Sequence, residues 1–297
     1  MIMLIKVLLP IFLIFLTGYI GQKVFSLHIK SISTTSLYLM TPPLIFKSFY
    51  TAKLDSTYLN IVLYSVLLLT LLLLFIKVAA YLRGYNSSQT SSLILSSAFM
   101  NNGNYGAPVI LFAYGQTAFQ YSIAIMILHT ILMSTVGLYF AAKGNFNVKE
   151  SIYSVLKMPI MHALILGLVW QYFKLPMPEN IYNAISMVGD ASIPLIMLVL
   201  GMQLAEIKLI NIKWDINIVG IITRLLISPA IAYGITLVLP IEPLLAKTMI
   251  VLAAMPSAVI MVMYAIQYDN NPEQVSSITL LSTLLSTVTL AVLLTFL

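Results

Sequence analysis

Apolar residues run along this chain in blocks of about twenty, separated by short charged or turn-rich stretches. A bilayer core of about 30 Å needs roughly 20 apolar helical residues to cross it. Ten blocks fit, near 3–22, 31–50, 58–82, 88–113, 117–142, 152–173, 181–205, 215–239, 244–267 and 273–296, and are numbered here as spans 1 to 10. Loops such as Lys23–Lys30, Lys143–Glu150 and Lys174–Asn180 are too short to hold a soluble domain. The pattern predicts an all-α polytopic membrane protein that forms one membrane-embedded unit over 1–297. Span 1 is followed by no small-residue cleavage site, so it is expected to be retained rather than removed as a signal peptide.

Composition narrows the function classes. Of 297 residues, 60% are apolar and 8% charged, against about a quarter charged in an ordinary soluble domain. So few charges exclude a water-soluble enzyme, a disordered chain and a nucleic-acid binder, despite a net charge of +6. The chain has no cysteine, and His28, His129 and His162 are scattered without metal-ligand spacing. No metal, cofactor or catalytic residue is expected, and the lipid bilayer is the expected surrounding. Lysine and arginine bias sets orientation. Lys23, Lys30, Lys77, Arg83, Lys143, Lys149, Lys157, Lys208 and Lys213 follow the odd-numbered spans, whereas Lys6, Lys47, Lys53, Lys174 and Lys247 lie on the other side. Nine against five predicts that both termini face away from the cytoplasm, in a plasma or inner membrane.

The two halves repeat one another. Pro10, Gly18 and Gln22 return with identical spacing as Pro159, Gly167 and Gln171, and Pro43-Leu44-Ile45 returns as Pro194-Leu195-Ile196. Asn60-Ile61-Val62 matches Asn217-Ile218-Val219, and Tyr114, Gln120 and Ser122 match Tyr268, Gln274 and Ser276. The offsets of 149, 151, 157 and 154 residues stay nearly constant. They predict a 5+5 repeat, with repeat one at 1–145 and repeat two at 150–297. An odd number of spans per repeat inverts the second half, a common plan among secondary transporters.

Candidate chemistry clusters where helices break. Span 4 is interrupted by Asn101, Asn102, Gly103, Asn104, Tyr105, Gly106, Ala107 and Pro108. Glycine relaxes the backbone and proline removes a donor, so the freed polar groups need partners that lipid does not supply. A helix broken near the bilayer centre answers this, and the start of its second half offers N–H groups and partial positive charge to an anion. A kink used only for packing is the plainer reading of the same residues. Met255-Pro256-Ser257-Ala258 interrupts span 9 at the matching place, and paired breaks point to a midplane substrate site. Asp190 in span 7 and Arg224 in span 8 are the clearest intramembrane charges, expected to face protein or water. They read either as an ion pair fixing two helices or, for Asp190, as a proton or cation coupling site. Lys47 is expected to snorkel to the outer face. Ser276, Thr279, Ser282, Thr283, Ser286 and Thr287 form a hydroxyl stripe expected to pack between helices, and His129 and His162 read as interior or interfacial histidines.

With these residues in view, the chain resembles the auxin efflux carrier family, whose bacterial members include suspected carboxylate permeases. The resemblance covers nearly the whole chain. Asn101, Asn104, Gly106 and Pro108 resemble the family's N-x-x-N run and its following Gly and Pro. Met255-Pro256 running to Tyr268, Asp190-Ala191 with Leu200-Gly201, Arg224 ahead of Pro229-Ala230, and Pro43-Leu44 resemble its other motifs. Gly103 and Met261 stand where plant members have proline, and Gln267 replaces an acidic residue, departures that set auxin itself in question as cargo. The family resembles the bile-acid/sodium symporter fold, which implies ten helices with broken helices 4 and 9 crossing. It also implies a scaffold of spans 3–50 and 152–205, a transport part of spans 58–142 and 215–296, and a homodimer through the scaffold helices. The expected function is secondary active transport of a small organic anion, a carboxylate or auxin-like aromatic acid, by elevator-type alternating access, with coupling to H+ or Na+. Substrate contacts are expected from Asn101, Asn102, Gly103, Asn104, Tyr105, Gly106, Pro108, Pro256 and Ser257. The alternative is an ion channel or membrane ligand sensor on a transporter-like fold. An intramembrane aspartyl hydrolase would need a second embedded carboxylate beside Asp190, and no P-loop or nucleophile elbow is present.

Overall fold

A computed structural model describes residues 2–52, 56–142, 153, 155–206 and 212–297. Lys53, Lys143, Lys149 and Lys208, which enter the orientation count, and the loop Lys143–Glu150 lie outside the described residues. Eleven helices account for nearly all of those residues: α1 (Ile2–Phe25), α2 (29–50), α3 (Ser56–Leu82), α4 (Ser87–Ala98), α5 (Asn102–Ala141), α6 (Pro159–Tyr172), α7 (Glu179–Glu206), α8 (Trp214–Val238), α9 (Pro243–Ala253), α10 (Ile260–Gln267) and α11 (Pro272–Phe296). π turns interrupt α2 at Thr35–Met40, α5 at Asn102–Gly106 and Met133–Gly137, and α8 at Thr223–Ile227.

Among the described residues six helices, within α1, α3, α5, α7, α8 and α11, are long and apolar enough to cross a membrane. In α3 the buried positions Ile61, Tyr64, Leu68, Leu72 and Ile76 recur at helical spacing, yet Leu59, Val62, Leu63, Val66 and Leu74 on the other face are exposed. A helix apolar all round suits lipid on one side and protein on the other. The remaining four predicted blocks are not single long helices. Block 31–50 carries the π turn ahead of Pro42 and Pro43, and block 152–173 holds α6, a 14-residue helix. Block 88–113 divides into α4 and the start of α5, and block 244–267 into α9 and α10. At 40 residues α5 would be about 60 Å if straight, twice the bilayer core. It turns instead at Gly115, whose φ of 78° and ψ of −167° suit glycine, dividing the helix into 102–114 and 116–141.

The chain folds into two compact units. Unit 1 holds Met1–Leu8, Ser56–Val148 and Ile207–Leu297; unit 2 holds Leu9–Asp55 and Lys149–Glu206.

Unit 2 is built on close helix approaches at glycine. A Cβ on Gly18 of α1 would sit 2.1 Å from the Leu198 carbonyl oxygen of α7, and one on Gly201 of α7 would sit 1.9 Å from that of Phe15. Gly167 of α6, spaced from Pro159 as Gly18 is from Pro10, makes a similar approach, since a Cβ there would lie 2.9 Å from the Phe46 oxygen of α2. Gln22 and Gln171, each four residues after one of these glycines, donate from Nε2 at 2.9 Å, to Glu206 Oε1 and to the Ala52 carbonyl. Small residues that let backbones touch are how helices associate where lipid is as apolar as leucine.

Unit 1 has a larger core, including Leu69, Ile76, Leu93, Ile94, Phe99, Met261, Val275 and Ile278. The serine-rich α4, too polar to face lipid, runs through the middle of this unit with all residues from Ser91 to Ala98 buried. Asn86 caps its start in a reciprocal box with Gln89 at 2.9 Å each way, and hydroxyls such as Ser96 return to carbonyls one turn back.

Candidate functional site

The polar centre of unit 1 lies where the two breaks meet. After α4 the chain becomes extended at Phe99, and after α9 it unwinds through Met255 to Ala258. These stretches pair antiparallel at Met100 and Ser257. The Asn101 N–H donates to the Pro256 carbonyl at 2.8 Å, and the Ala258 N–H to the Phe99 carbonyl at 3.0 Å. Backbone groups released by each break are thus taken up by the other, the condition for irregular chain in an apolar surrounding. Pro256 loses nothing by lacking an N–H, because its carbonyl carries the pairing. Ser257 Oγ donates to the Ser96 carbonyl, and its N–H to Ser282 Oγ at 3.3 Å.

Arg224 holds the carbonyl side of this crossing. It is 0% exposed. Nη1 donates to the Ser97 carbonyl at 3.0 Å and Nη2 to the Ala253 carbonyl at 2.6 Å, one at the end of each half-helix. Nη2 also donates to Ser228 Oγ, four residues along the same helix, whose hydroxyl donates to Ala253 at 2.8 Å. One guanidinium therefore complements the partial negative charge at two helix C-termini.

The opposite side is the start of α5. Asn101 Oδ1 accepts from the Asn104 N–H at 3.2 Å, and the Asn101 carbonyl accepts from the Gly106 N–H at 2.9 Å. Asn102 Nδ2 donates to His129 Nδ1 at 2.7 Å. Asn101 is 5% and Asn102 1% exposed, yet Asn101 Nδ2 and Asn102 Oδ1 have no hydrogen-bond partner, and neither has Arg224 Nε. Buried polar atoms without partners are rare enough to call for an explanation. Gly103 and Asn104 are half-buried; Tyr105, Gly106 and Pro108 are buried. Gly106 is where the half-helices touch, since a Cβ there would lie 2.7 Å from Leu252 Cδ2. Ser286 of the α11 hydroxyl stripe donates to the Tyr105 hydroxyl at 3.4 Å.

Asn101 meets Pro256, Ser257 pairs with Met100, and Asn104 and Gly106 bond back to Asn101, whereas a Cβ on Gly103 would face Met126. Each intramembrane charge finds its partners within its own unit. Asp190 accepts from Lys47 at 2.7 Å within unit 2, whereas every hydrogen bond of Arg224 described above lies within unit 1. Lys47 ties α2 to α7, because the Asp190 carboxylate lies within its reach. His129 is interior, as the sequence suggested, but its partner Asn102 lies 27 residues away and left no visible signal; Ser228 was missed, although its i, i+4 spacing from Arg224 could have revealed it. Among the described residues no group of three His, Cys, Asp or Glu could hold a metal ion.

Helices of membrane-spanning length, joined to two broken segments bridged at a buried polar centre, define a polytopic α-helical membrane protein built around discontinuous helices. The chain belongs to the membrane transport protein family, whose model matches residues 3–294. It is a transporter, not an enzyme. It is 30% identical to an uncharacterized transporter of Methanothermobacter thermautotrophicus, over 96% of this chain and 95% of that one. An uncharacterized transporter of Methanocaldococcus jannaschii is 26% identical over 96% of each chain. Auxin efflux carrier component 2 of Oryza sativa subsp. japonica is 25% identical over 41% of this chain and 20% of its own.

Proposed function

We propose that this protein is a secondary active transporter of a small organic anion, a carboxylate or auxin-like aromatic acid, that binds at the start of α5. The observation that carries the reading is the distribution of helix ends at the crossing. Two C-termini and two N-termini meet there, each carrying about half a unit charge. Arg224 occupies both C-termini. The N-terminal ends near Asn102 and Ile260 are left with about one positive charge between them, which suits an anion. The unpartnered Asn101 amide nitrogen adds a donor at that place.

In this reading, unit 1 supplies the transport part over 58–142 and 215–296, and unit 2 supplies the scaffold over 3–50 and 152–205 except for its first residues up to Leu8, which fall in unit 1. Ten crossings arise when α4 with 102–114, and α9 with α10, each count as one broken span. The equivalent contacts of Gly18 and Gly167 support an inverted 5+5 repeat. Elevator-type movement of unit 1 carries the anion, coupled to H+ or Na+, while scaffold helices pair two copies in a plasma or inner membrane with both termini outside.

Thermal stability of the purified protein against a panel of small carboxylates tests the site, because a ligand that binds only the folded state raises the midpoint by mass action. A saturable shift for one class of acids, weakened about tenfold or more in apparent affinity by Asn104→Ala, is expected. Full affinity and uptake in Asn104→Ala vesicles would remove Asn104 from the site. Repeating the series with and without sodium, and at two pH values, identifies the coupling ion.

A further inference from the structure

With a small organic anion as cargo, a premise taken from the reading above, we infer that the site selects a carboxylate bearing a hydroxyl on the adjacent carbon, and that His129 sets this preference by holding one end of the Asn102 amide. Asn102 has one donor end and one acceptor end. An amide nitrogen only donates, so in the 2.7 Å contact His129 Nδ1 is the acceptor and the ring hydrogen sits on Nε2. The Asn102 Nδ2 group is thereby engaged, and the end left without a partner is the acceptor Oδ1. The neighbouring Asn101 presents the complement, because its Oδ1 accepts from the Asn104 N–H and its donor Nδ2 is left over.

Two consecutive buried residues thus leave one donor and one acceptor at the start of a half-helix. A plain carboxylate satisfies only the donor, since all its oxygens accept. A ligand that satisfies both accepts from Asn101 Nδ2 with its carboxylate and donates to Asn102 Oδ1 with a second group. That second group is a hydroxyl rather than an ammonium. The acidic residues of unit 1, Asp215, Glu242, Asp269 and Glu273, are all exposed, while the buried Arg224 cation belongs to the same unit. An ammonium would meet no buried counter-charge there.

The test compares lactate with propionate, which differ by the 2-hydroxyl, as stabilisers of the purified full-length protein at pH 7. Lactate is expected to show an apparent Kd lower by at least about tenfold, the scale set by leaving a buried acceptor unpaired. In Asn102→Leu the acceptor is gone, and the two acids should stabilise the protein equally. Should that variant fail to fold, His129→Phe serves, since it frees the amide to turn either end to the ligand and should compress the ratio. Equal affinity for the two acids in the unaltered protein overturns the hydroxyl preference and leaves the anion reading standing. An undiminished lactate preference in either variant overturns the assignment to Asn102 and His129. No saturable stabilisation by lactate, propionate or any acid of the wider panel overturns both the preference and the anion reading.

Discussion

The two units solve the problem of holding helices together in lipid by opposite means. Unit 2 brings backbones into contact, with Gly18 against Leu198, Gly201 against Phe15, Gly167 against Phe46 and Gly189 against Leu44. Among its described residues the ion pair is Lys47 with Asp190, 20% and 54% exposed. Unit 1 breaks two helices, buries an arginine and joins the fragments through Asn101, Pro256, Ser257 and Arg224. Glycine contacts tolerate no added atom, because the backbone of the facing helix already fills the space. A polar crossing needs its donors and acceptors matched, and Asn101 Nδ2 and Asn102 Oδ1 are two at the start of α5 that no protein group meets.

The largest effect should come from Arg224→Met. It leaves the Ser97 and Ala253 carbonyls buried without their cation, and each buried acceptor left unsatisfied costs about 1–3 kcal/mol. A drop in the thermal midpoint by many degrees, or loss of the folded protein from detergent extracts, is the expected result; an unchanged midpoint would contradict the assignment of the crossing's stability to this residue.

Next in size is a contrast between two glycines. Gly201→Ala places its methyl 1.9 Å from a backbone oxygen, so α1 and α7 must part. Overpacking of this kind costs about 1–3 kcal/mol. Gly106→Ala meets the end of the Leu252 side chain, which can turn aside, and should cost about 1 kcal/mol or less. Thermal unfolding of the two variants side by side checks the order, and a reversal would show that the crossing, not the glycine contact, is the stiffer region.

The smallest effect belongs to the exposed ion pair. Lys47→Met with Asp190→Leu together should change stability by about 1 kcal/mol at most, the usual range for exposed pairs, while either single change should cost more by stranding its partner. Uptake retained by the double variant in vesicles would make the pair a tie between α2 and α7. Uptake abolished in a folded double variant would instead give Asp190 a part in coupling.

Much of the helical plan was legible before any coordinates. Blocks of apolar residues predicted membrane helices because length and hydropathy alone decide whether a segment can cross. Asn, Gly and Pro in 101–108 and Pro256 located both breaks, since those residues cannot continue a helix without leaving backbone groups free. What failed was pairing. Asp190 and Arg224 invited each other as the two conspicuous charges, but a charge takes the partner within reach of its side chain, and sequence order does not encode that distance. Lys47 and Asp190 are 143 residues apart.

The sequence by itself determined that the chain lives in a membrane, where its helices run and where two of them must break, because each of these follows from local chemistry. Only the tertiary structure decided that the breaks bridge one another, that Arg224 serves both half-helix ends, and that His129 engages Asn102 and leaves its oxygen free. Those outcomes depend on which backbone carbonyls and side chains the fold brings within about 3 Å, the range at which a hydrogen bond forms.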